Sequence, residues 1–135
     1  MNVLVAGGAG YIGSHTVVEL IKAGHTPIIV DDLSNAKADV VDRIETITGK
    51  RPAFYKLDCK SKDALRTVFS AHKIDAIIHF AAFKAVGESV KKPLQYYRNN
   101  LDNTLSLLEV MEEFGCKKFI FFYIIFCLKV EIGIC

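Results

Sequence analysis

Short runs of aliphatic residues alternate along the chain with longer segments whose apolar residues recur every three or four positions. The runs predict buried strands at 2–6, 27–31, 53–57, 74–80 and 118–122. The periodic segments predict helices at 11–23, 39–48, 62–72 and 93–114. Strands that alternate with helices across short connections favour a doubly wound parallel sheet with right-handed crossovers. The pattern therefore predicts an α/β fold that is truncated after its fifth strand.

The predicted helices carry recognisable start signals and apolar stripes. Ser61 precedes the third helix as an N-cap, and Pro93 opens the fourth at a position that tolerates proline. The segment 81–92 has no clear period and is predicted to be irregular. The stripes predict buried faces on the second and fourth helices, formed by Val40, Val41, Ile44 and Ile47 and by Leu94, Tyr97, Leu101, Leu105, Leu108 and Met111.

The composition narrows the class of protein. At 135 residues, 51% hydrophobic and 24% charged, the chain is expected to form one globular domain. Its net charge is +2 with scattered basic residues, which indicates neither a nucleic-acid-binding face nor a basic membrane patch. The four cysteines form no C-x-x-C pair and match no zinc site or disulfide framework. The N-terminus has no secretory signal pattern, so the expected location is the cytoplasm.

The C-terminal tail differs from the rest of the chain. Residues 119–128 are all apolar, a run too short for a membrane-spanning helix, which needs ~20 residues. The run is also long for one strand, since strands typically have about five or six residues. After Leu107 there is no Ser, Thr, Asn or Asp, so the turn and cap chemistry of the earlier chain stops. We expect a domain over 1–121 and an aberrant apolar tail over 122–135.

A glycine-rich loop joins the first predicted strand to the first helix. Residues 7–13 read Gly-Gly-Ala-Gly-Tyr-Ile-Gly and contain the spacing G-x-G-x-x-G. Glycines at such a corner allow a tight turn and let a pyrophosphate approach the bare backbone. The N–H groups at the start of the helix would then face the phosphates. The alternative is a glycine-rich turn that binds nothing, but a position between a strand and a helix favours a dinucleotide site.

Two acidic residues follow the second strand. Asp31 and Asp32 lie near the distance of roughly 20 residues at which dinucleotide-binding folds place a ribose-binding carboxylate. A carboxylate there accepts hydrogen bonds from the adenosine ribose and repels a 2′-phosphate. Of the two, Asp31 is the better candidate, with Asp32 as a loop neighbour. The pair favours NAD over NADP, although Asp31 could instead only cap a loop.

A longer motif resembles a known family. The loop and the residues after it resemble the extended short-chain dehydrogenase/reductase family, a group with the Rossmann-type NAD-binding fold. The run His-Phe-Ala-Ala-Phe-Lys-Ala-Val-Gly-Glu-Ser at 79–89, with Lys-Pro-Leu at 92–94 and Tyr-Tyr-Arg-Asn-Asn at 96–100, resembles its UDP-glucose 4-epimerases. The resemblance covers about 1–121. It implies an NAD-dependent isomerase of galactose metabolism that interconverts UDP-glucose and UDP-galactose and is usually a homodimer.

The resemblance also implies a set of cofactor-binding residues. The pyrophosphate would meet the glycine loop, the adenosine the segments after the second and third strands, and the rest of the cofactor the segment after the fourth strand. The implied residues are Gly7, Gly10, Tyr11, Ile12, Gly13, Asp31, Asp32, Ser34, Asn35, Asp58, Cys59, Phe80, Ala81, Ala82, Lys84 and Asn99.

Position alone leaves other roles open for some of these residues and their neighbours. Lys84 could equally be a solvated loop lysine, and Asn99 a surface residue of the long helix. His79 lies inside the fourth strand, where a hydrogen-bonded core histidine is a better interpretation than a catalytic base. Ala6 and Ala82 stand where the family commonly has Thr and Gly, and each of these small changes should be tolerated.

The catalytic pair of the family has no counterpart in this sequence. No tyrosine is followed four residues later by a lysine, and the serine-rich segment expected after the fifth strand reads Phe-Tyr-Ile-Ile at 122–125. We therefore expect no catalytic residue in this chain. One hypothesis is an interrupted epimerase sequence, in which another reading frame of the coding DNA encodes the serine-rich segment and a Y-x-x-x-K. The competing hypothesis is an inactive NAD-binding module with a sensing or interaction role, whose tail is buried against a partner.

Overall fold

A computed structural model describes residues 1–82 and 86–122. Its strands are β1 (Asn2–Ala6), β2 (Thr26–Asp31), β3 (Ala53–Lys56), β4 (Ala76–His79) and β5 (Phe119–Phe121). Its helices are α1 (Tyr11–Lys22), α2 (Asp39–Thr48), α3 (Lys62–Ala71), α4 (Val86–Lys91) and α5 (Pro93–Glu113). The five strands form one parallel sheet in the order β3-β2-β1-β4-β5. The predicted α/β class and parallel sheet are confirmed. No described helix is long and apolar enough to cross a membrane.

Helices cover both faces of the sheet. On one face, Val3, Val5 and Ile29 pack against apolar residues of α1 and α2. On the other, Leu4 and Ile77 pack against α3 and α5. Neighbouring residues of β1 thus point to opposite cores, because side chains alternate along a strand. This explains why the strand is apolar from Val3 to Ala6, and it makes the fold doubly wound.

The predicted inward face of the long helix is wrong for five of its six residues. Leu94 is 78% exposed, and Met111 alone of the predicted set is buried. The exposed members are Leu94, Tyr97, Leu101, Leu105 and Leu108, called here the outer stripe of α5. The residues facing the core are Tyr96, Asn103, Ser106, Leu107, Val110 and Met111. The helix thus has two sets of residues at helical spacing. The buried set is the one that includes the polar residues Asn103 and Ser106.

Smaller differences concern single elements. Ile47, predicted to be buried, is 64% exposed at the end of α2. The segment predicted to be irregular contains α4, while β3, β4 and β5 are each shorter than predicted. The N-cap prediction is confirmed, since the Ser61 hydroxyl accepts a hydrogen bond from the backbone N–H of Ala64. Lys84 and all of the predicted tail except Phe122 lie outside the described residues.

Candidate functional site

The glycine loop depends on close backbone contacts that only glycine allows. Gly7 has φ +77°, and a Cβ atom there would lie 2.7 Å from the backbone nitrogen of Ala81. A Cβ on Gly13 would collide with the carbonyl oxygen of Gly7 and with the backbone of Gly8. The loop thus passes directly against the first turn of α1 and the end of β4. Gly7 and Gly13 therefore have the steric roles that the motif predicts.

The loop leaves the start of α1 open to a ligand. Gly7 donates to Val30 O at 2.8 Å and Gly10 donates to Gly7 O at 3.2 Å, which closes the turn. The backbone N–H groups of Tyr11, Ile12 and Gly13 have no hydrogen-bond partner among the described residues. No side chain caps this helix, and its first turn holds no acidic residue. Three N–H donors at the positive end of a helix form a favourable setting for a phosphate group.

The side chain of Tyr11 lies on the surface beside His15. It is 83% exposed, and its ring centroid lies 4.7 Å from that of His15. Ile12, in the first turn of α1, is half-buried and packs against the core on that face of the sheet. Both residues also offer the backbone N–H groups described above.

Asp31 connects the glycine loop to the loop after β2. It is 9% exposed; its Oδ2 atom accepts from Ala9 N at 3.0 Å, and its Oδ1 atom accepts from Leu33 N at 2.9 Å. Leu33 holds the loop in the left-handed region, with φ 61°. Burial raises the pKa of Asp31, and the two backbone donors oppose that rise. The carboxylate lies at the carboxyl end of β2, the edge at which ligands bind to open parallel sheets.

The residues beside Asp31 are more exposed. Asp32, Ser34 and Asn35 lie on the surface, and Asp32 Oδ1 accepts from Ser34 N at 2.8 Å. Asp32 therefore shapes its own loop, as expected of a loop neighbour. Its charge also contributes to the raised pKa of Asp31.

A second polar group lies at the carboxyl end of β3. The Lys60 ammonium is 3.2 Å from Asp58 Oδ2 and 3.2 Å from Asn99 Oδ1 on α5. Cys59, between Asp58 and Lys60, is 4% exposed in the core beneath this loop. The structure thus brings Asp58 and Asn99 together through Lys60. Sequence reasoning missed Lys60, because a single lysine after an aspartate carries no distinctive signal.

The segment after β4 completes the edge of the site. Phe80 is buried at 8% exposure, and its N–H donates to Ala6 O at 2.7 Å. Ala81 and Ala82 are half-buried, with Ala81 against Gly7. The predicted role of Lys84 cannot be placed, because this residue lies outside the described part of the chain.

His79 is a core residue, as predicted. It is 1% exposed, its Nε2 atom lies 3.2 Å from Thr104 Oγ1, and its ring stacks on Phe121. As the last residue of β4 it lies beside Ala6 of β1, with its ring packed against Phe119 and Phe121 of β5. Among the described residues, no group of His, Cys, Asp and Glu side chains could hold a metal ion.

Burial makes the Cys59 thiol unreactive. Loss of solvent raises its pKa to about 12, and Asp58 and Asp31 add to the rise. In a Cys127→Ser/Cys135→Ser background, we expect native protein to react with a thiol reagent at pH 8 far more slowly than urea-unfolded protein. The measurement is absorbance after addition of a disulfide reagent. Fast labelling of Cys59, identified by peptide mapping of the folded protein, would contradict this burial.

The chain matches a known protein family over most of its length. The family model described as NAD dependent epimerase/dehydratase family matches residues 3–123. The UDP-glucose 4-epimerase of Erwinia amylovora is 53% identical over 121 residues, which are 90% of this chain and 36% of that protein. The enzyme of that name from Bacillus subtilis (strain 168) is 51% identical with the same coverage.

Solved structures agree with the fold. The crystal structure of UDP-glucose 4-epimerase from Bifidobacterium longum, in complex with NAD⁺ and UDP, matches with a TM-score of 0.88 and 47% identity. The match covers 90% of this chain and 36% of that one, so this chain spans little more than a third of its relatives' length. From the matched family, the five-stranded parallel sheet and the glycine loop, we conclude that the chain belongs to the NAD-dependent epimerase/dehydratase family.

Proposed function

We propose that this chain is the NAD-binding part of a UDP-glucose 4-epimerase and binds the adenosine diphosphate half of NAD. One observation carries the proposal. The open N–H groups at the start of α1 and the Asp31 carboxylate lie on either side of one loop and are joined through Ala9. Phosphate-binding donors and a ribose-binding acceptor are thus held by the same hydrogen-bonded unit. This arrangement fits a dinucleotide better than it fits a lone phosphate.

Different residues of the site would bind different parts of the cofactor. The N–H groups of Tyr11, Ile12 and Gly13 would bind the pyrophosphate. Asp31 would accept hydrogen bonds from the ribose hydroxyls and repel a 2′-phosphate, and Asp58 would lie beside the adenine. When bound in the longer epimerase, NAD would supply a reversible hydride acceptor for C4 of the UDP-sugar. The residues named here would hold the adenosine diphosphate half of NAD, not its reacting nicotinamide ring.

The proton-transfer part of the reaction has no candidate in these 135 residues. The five tyrosines are followed four positions later by His15, Cys59, Asn100, Leu101 and Cys127, never by lysine. We therefore infer that the 135-residue polypeptide does not interconvert UDP-glucose and UDP-galactose by itself. Substrate turnover and homodimer formation are proposed for the longer epimerase of which these residues form the cofactor-binding part.

The proposal is tested by titrating purified protein with NAD and with ADP in a calorimeter. We expect saturable binding of both, with NAD held so weakly that it is lost on gel filtration, and no epimerase turnover. Circular dichroism first establishes that the protein is folded. Folded protein that takes up neither ligand at millimolar concentration would refute the cofactor site, and detectable turnover would refute the inferred inactivity.

A second candidate function is an inactive NAD-binding module that acts through a partner. The outer stripe of α5 favours it, because five large apolar side chains are exposed on one helix face. Sedimentation velocity separates the two candidates. A stable soluble oligomer would support the module, whereas a monomer or an aggregate would count against it.

A further inference from the structure

Lys60 links two of the predicted cofactor residues, Asp58 and Asn99. Its ammonium nitrogen is 3.2 Å from Asp58 Oδ2, after β3, and 3.2 Å from Asn99 Oδ1, on α5. These residues are far apart in sequence and on different elements. One side chain therefore bridges a carboxylate in the loop after β3 and an amide on α5.

The backbone of Lys60 strengthens the link. Its N–H donates to Asp58 Oδ1 at 2.9 Å, so both carboxylate oxygens of Asp58 are held by one residue. Its carbonyl oxygen accepts from Ser106 Oγ at 3.4 Å, one and a half to two turns farther along α5 than Asn99. The loop after β3 is thus fixed to α5 at two places, and Lys60 takes part in both.

The charge of Lys60 decides how the Asn99 amide is oriented. An ammonium group can only donate hydrogen bonds, so it selects the carbonyl oxygen of Asn99 and not the nitrogen. The amide nitrogen then faces away from Lys60 and donates to Asn100 Oδ1 at 3.3 Å. An amide nitrogen carries two hydrogens, so the second remains available to an acceptor on a ligand.

We propose that Lys60 is a positioning residue that presents the Asp58 carboxylate and the Asn99 amide donor to the bound cofactor. The proposal rests on the proposed NAD-binding function. Lys60 and Asn99 both line a surface cavity of about 570 Å³ whose other lining residues belong to α5, so the link is open to solvent on that side. Because Lys60 is a lysine, a bulky neutral side chain at this position would leave Asn99 free to rotate.

The link is too exposed to contribute much to folding. The side chains of Lys60 and Asp58 are 41% and 44% exposed, and ion pairs of this kind contribute little to stability. A substitution should therefore change ligand binding without changing the melting temperature. That combination separates a positioning role from a merely structural one.

Lys62 offers a matched control. It is 46% exposed, and its ammonium pairs with Glu109 Oε2 at 2.8 Å, so it also connects α3 to α5. It contacts none of the predicted cofactor residues. Lys62→Met removes a lysine of similar exposure and a similar helix contact, away from the site.

The experiment compares wild type, Lys60→Met, Lys60→Arg and Lys62→Met by ADP titration and by the side-chain amide signal of Asn99 in ¹H–¹⁵N spectra. We expect Lys60→Met to shift that signal in the ligand-free protein and to weaken ADP binding about three- to tenfold, the effect of losing one pre-ordered side chain. Lys60→Arg should restore both, because arginine also only donates. Lys62→Met should leave both unchanged, and all four melting temperatures should agree closely.

The outcomes distinguish failure of the proposed role of Lys60 from failure of the proposed NAD-binding function. Wild type that binds no ADP would overturn the proposed cofactor site and, with it, the ligand role of Lys60. Wild type that binds ADP while Lys60→Met binds it equally well would overturn the role of Lys60 alone. An unshifted Asn99 signal in Lys60→Met, or an equal loss of affinity in Lys62→Met, would also overturn it.

Discussion

Gly13→Ala is expected to abolish measurable ADP and NAD binding and to destabilise the fold. Its new methyl group would overlap the carbonyl oxygen of Gly7, a backbone atom that cannot turn aside as a side chain can. The helix start must then move away from β1, which disperses the three N–H donors. Overpacking of this kind costs about 1–3 kcal/mol, which corresponds to several degrees in melting temperature. Thermal unfolding and ADP calorimetry measure the two effects.

Gly87→Ala is the control for this substitution. Gly87 lies in α4, and a Cβ atom there would meet no atom of the described residues within 4 Å. Alanine is a better helix former than glycine, so this variant should bind ADP like wild type and be equally or slightly more stable. Normal ADP binding by Gly13→Ala would show that the close approach of α1 to the loop is not needed.

Asp31→Asn is expected to weaken NAD binding at least about tenfold and to reduce the preference for NAD over NADP. Asparagine has nearly the same shape but only one acceptor oxygen, so it cannot serve both Ala9 N and Leu33 N. Hydrogen bonds to a charged group contribute about 1.5–3 kcal/mol, and loss of one accounts for the tenfold change. The lost negative charge also removes the repulsion of a 2′-phosphate. Titration with NAD and with NADP measures both effects.

The control changes an aspartate at the amino ends of the strands, which is the opposite end of the sheet. Asp75 Oδ2 accepts from the backbone N–H of Asn2 at 2.7 Å, away from the carboxyl ends of the strands. Asp75→Asn should leave NAD affinity and its preference over NADP unchanged, whatever it does to stability. If Asp31→Asn bound both cofactors like wild type, Asp31 would be a loop residue only.

Acidification should resemble the Asp31→Asn substitution. Burial raises the pKa of Asp31 above its ordinary value of 3.8, so this carboxyl gains a proton at a higher pH than an exposed one would. NAD affinity of the wild type should therefore fall as the pH drops through that raised pKa. The affinity of Asp31→Asn should change less over the same range, since asparagine does not titrate there.

The glycine loop shows what the sequence could predict about the site. Gly7 and Gly13 were identified from spacing because their role depends on the absence of a side chain, which is a local property. The contact between Asp31 and Ala9 N could not be predicted in the same way. It depends on how far β2 extends past β1, and that register is set by pairing across the sheet.

Lys60 is a site residue that could not be predicted from the sequence. Asp58 and Asn99 were each identified through resemblance, but nothing in the sequence indicated that one lysine contacts both. Such a contact forms only when α5 crosses back over the loop after β3. Long-range polar contacts of this kind leave no periodic signal, because a single residue carries them.

The sequence by itself determined the alternation of the five strands with α1, α2, α3 and α5, but not α4. It also determined the two-sided burial of the central strands and the glycine loop that is proposed to bind a phosphate. These follow from side-chain period and from backbone geometry, which act over a few neighbouring residues. Only the tertiary structure decided which stripe of α5 faces the sheet, with Leu107 inside and Leu105 outside. Helical spacing shows that residues share a face, but which of two apolar faces is buried depends on the shape of the surface that the rest of the chain presents.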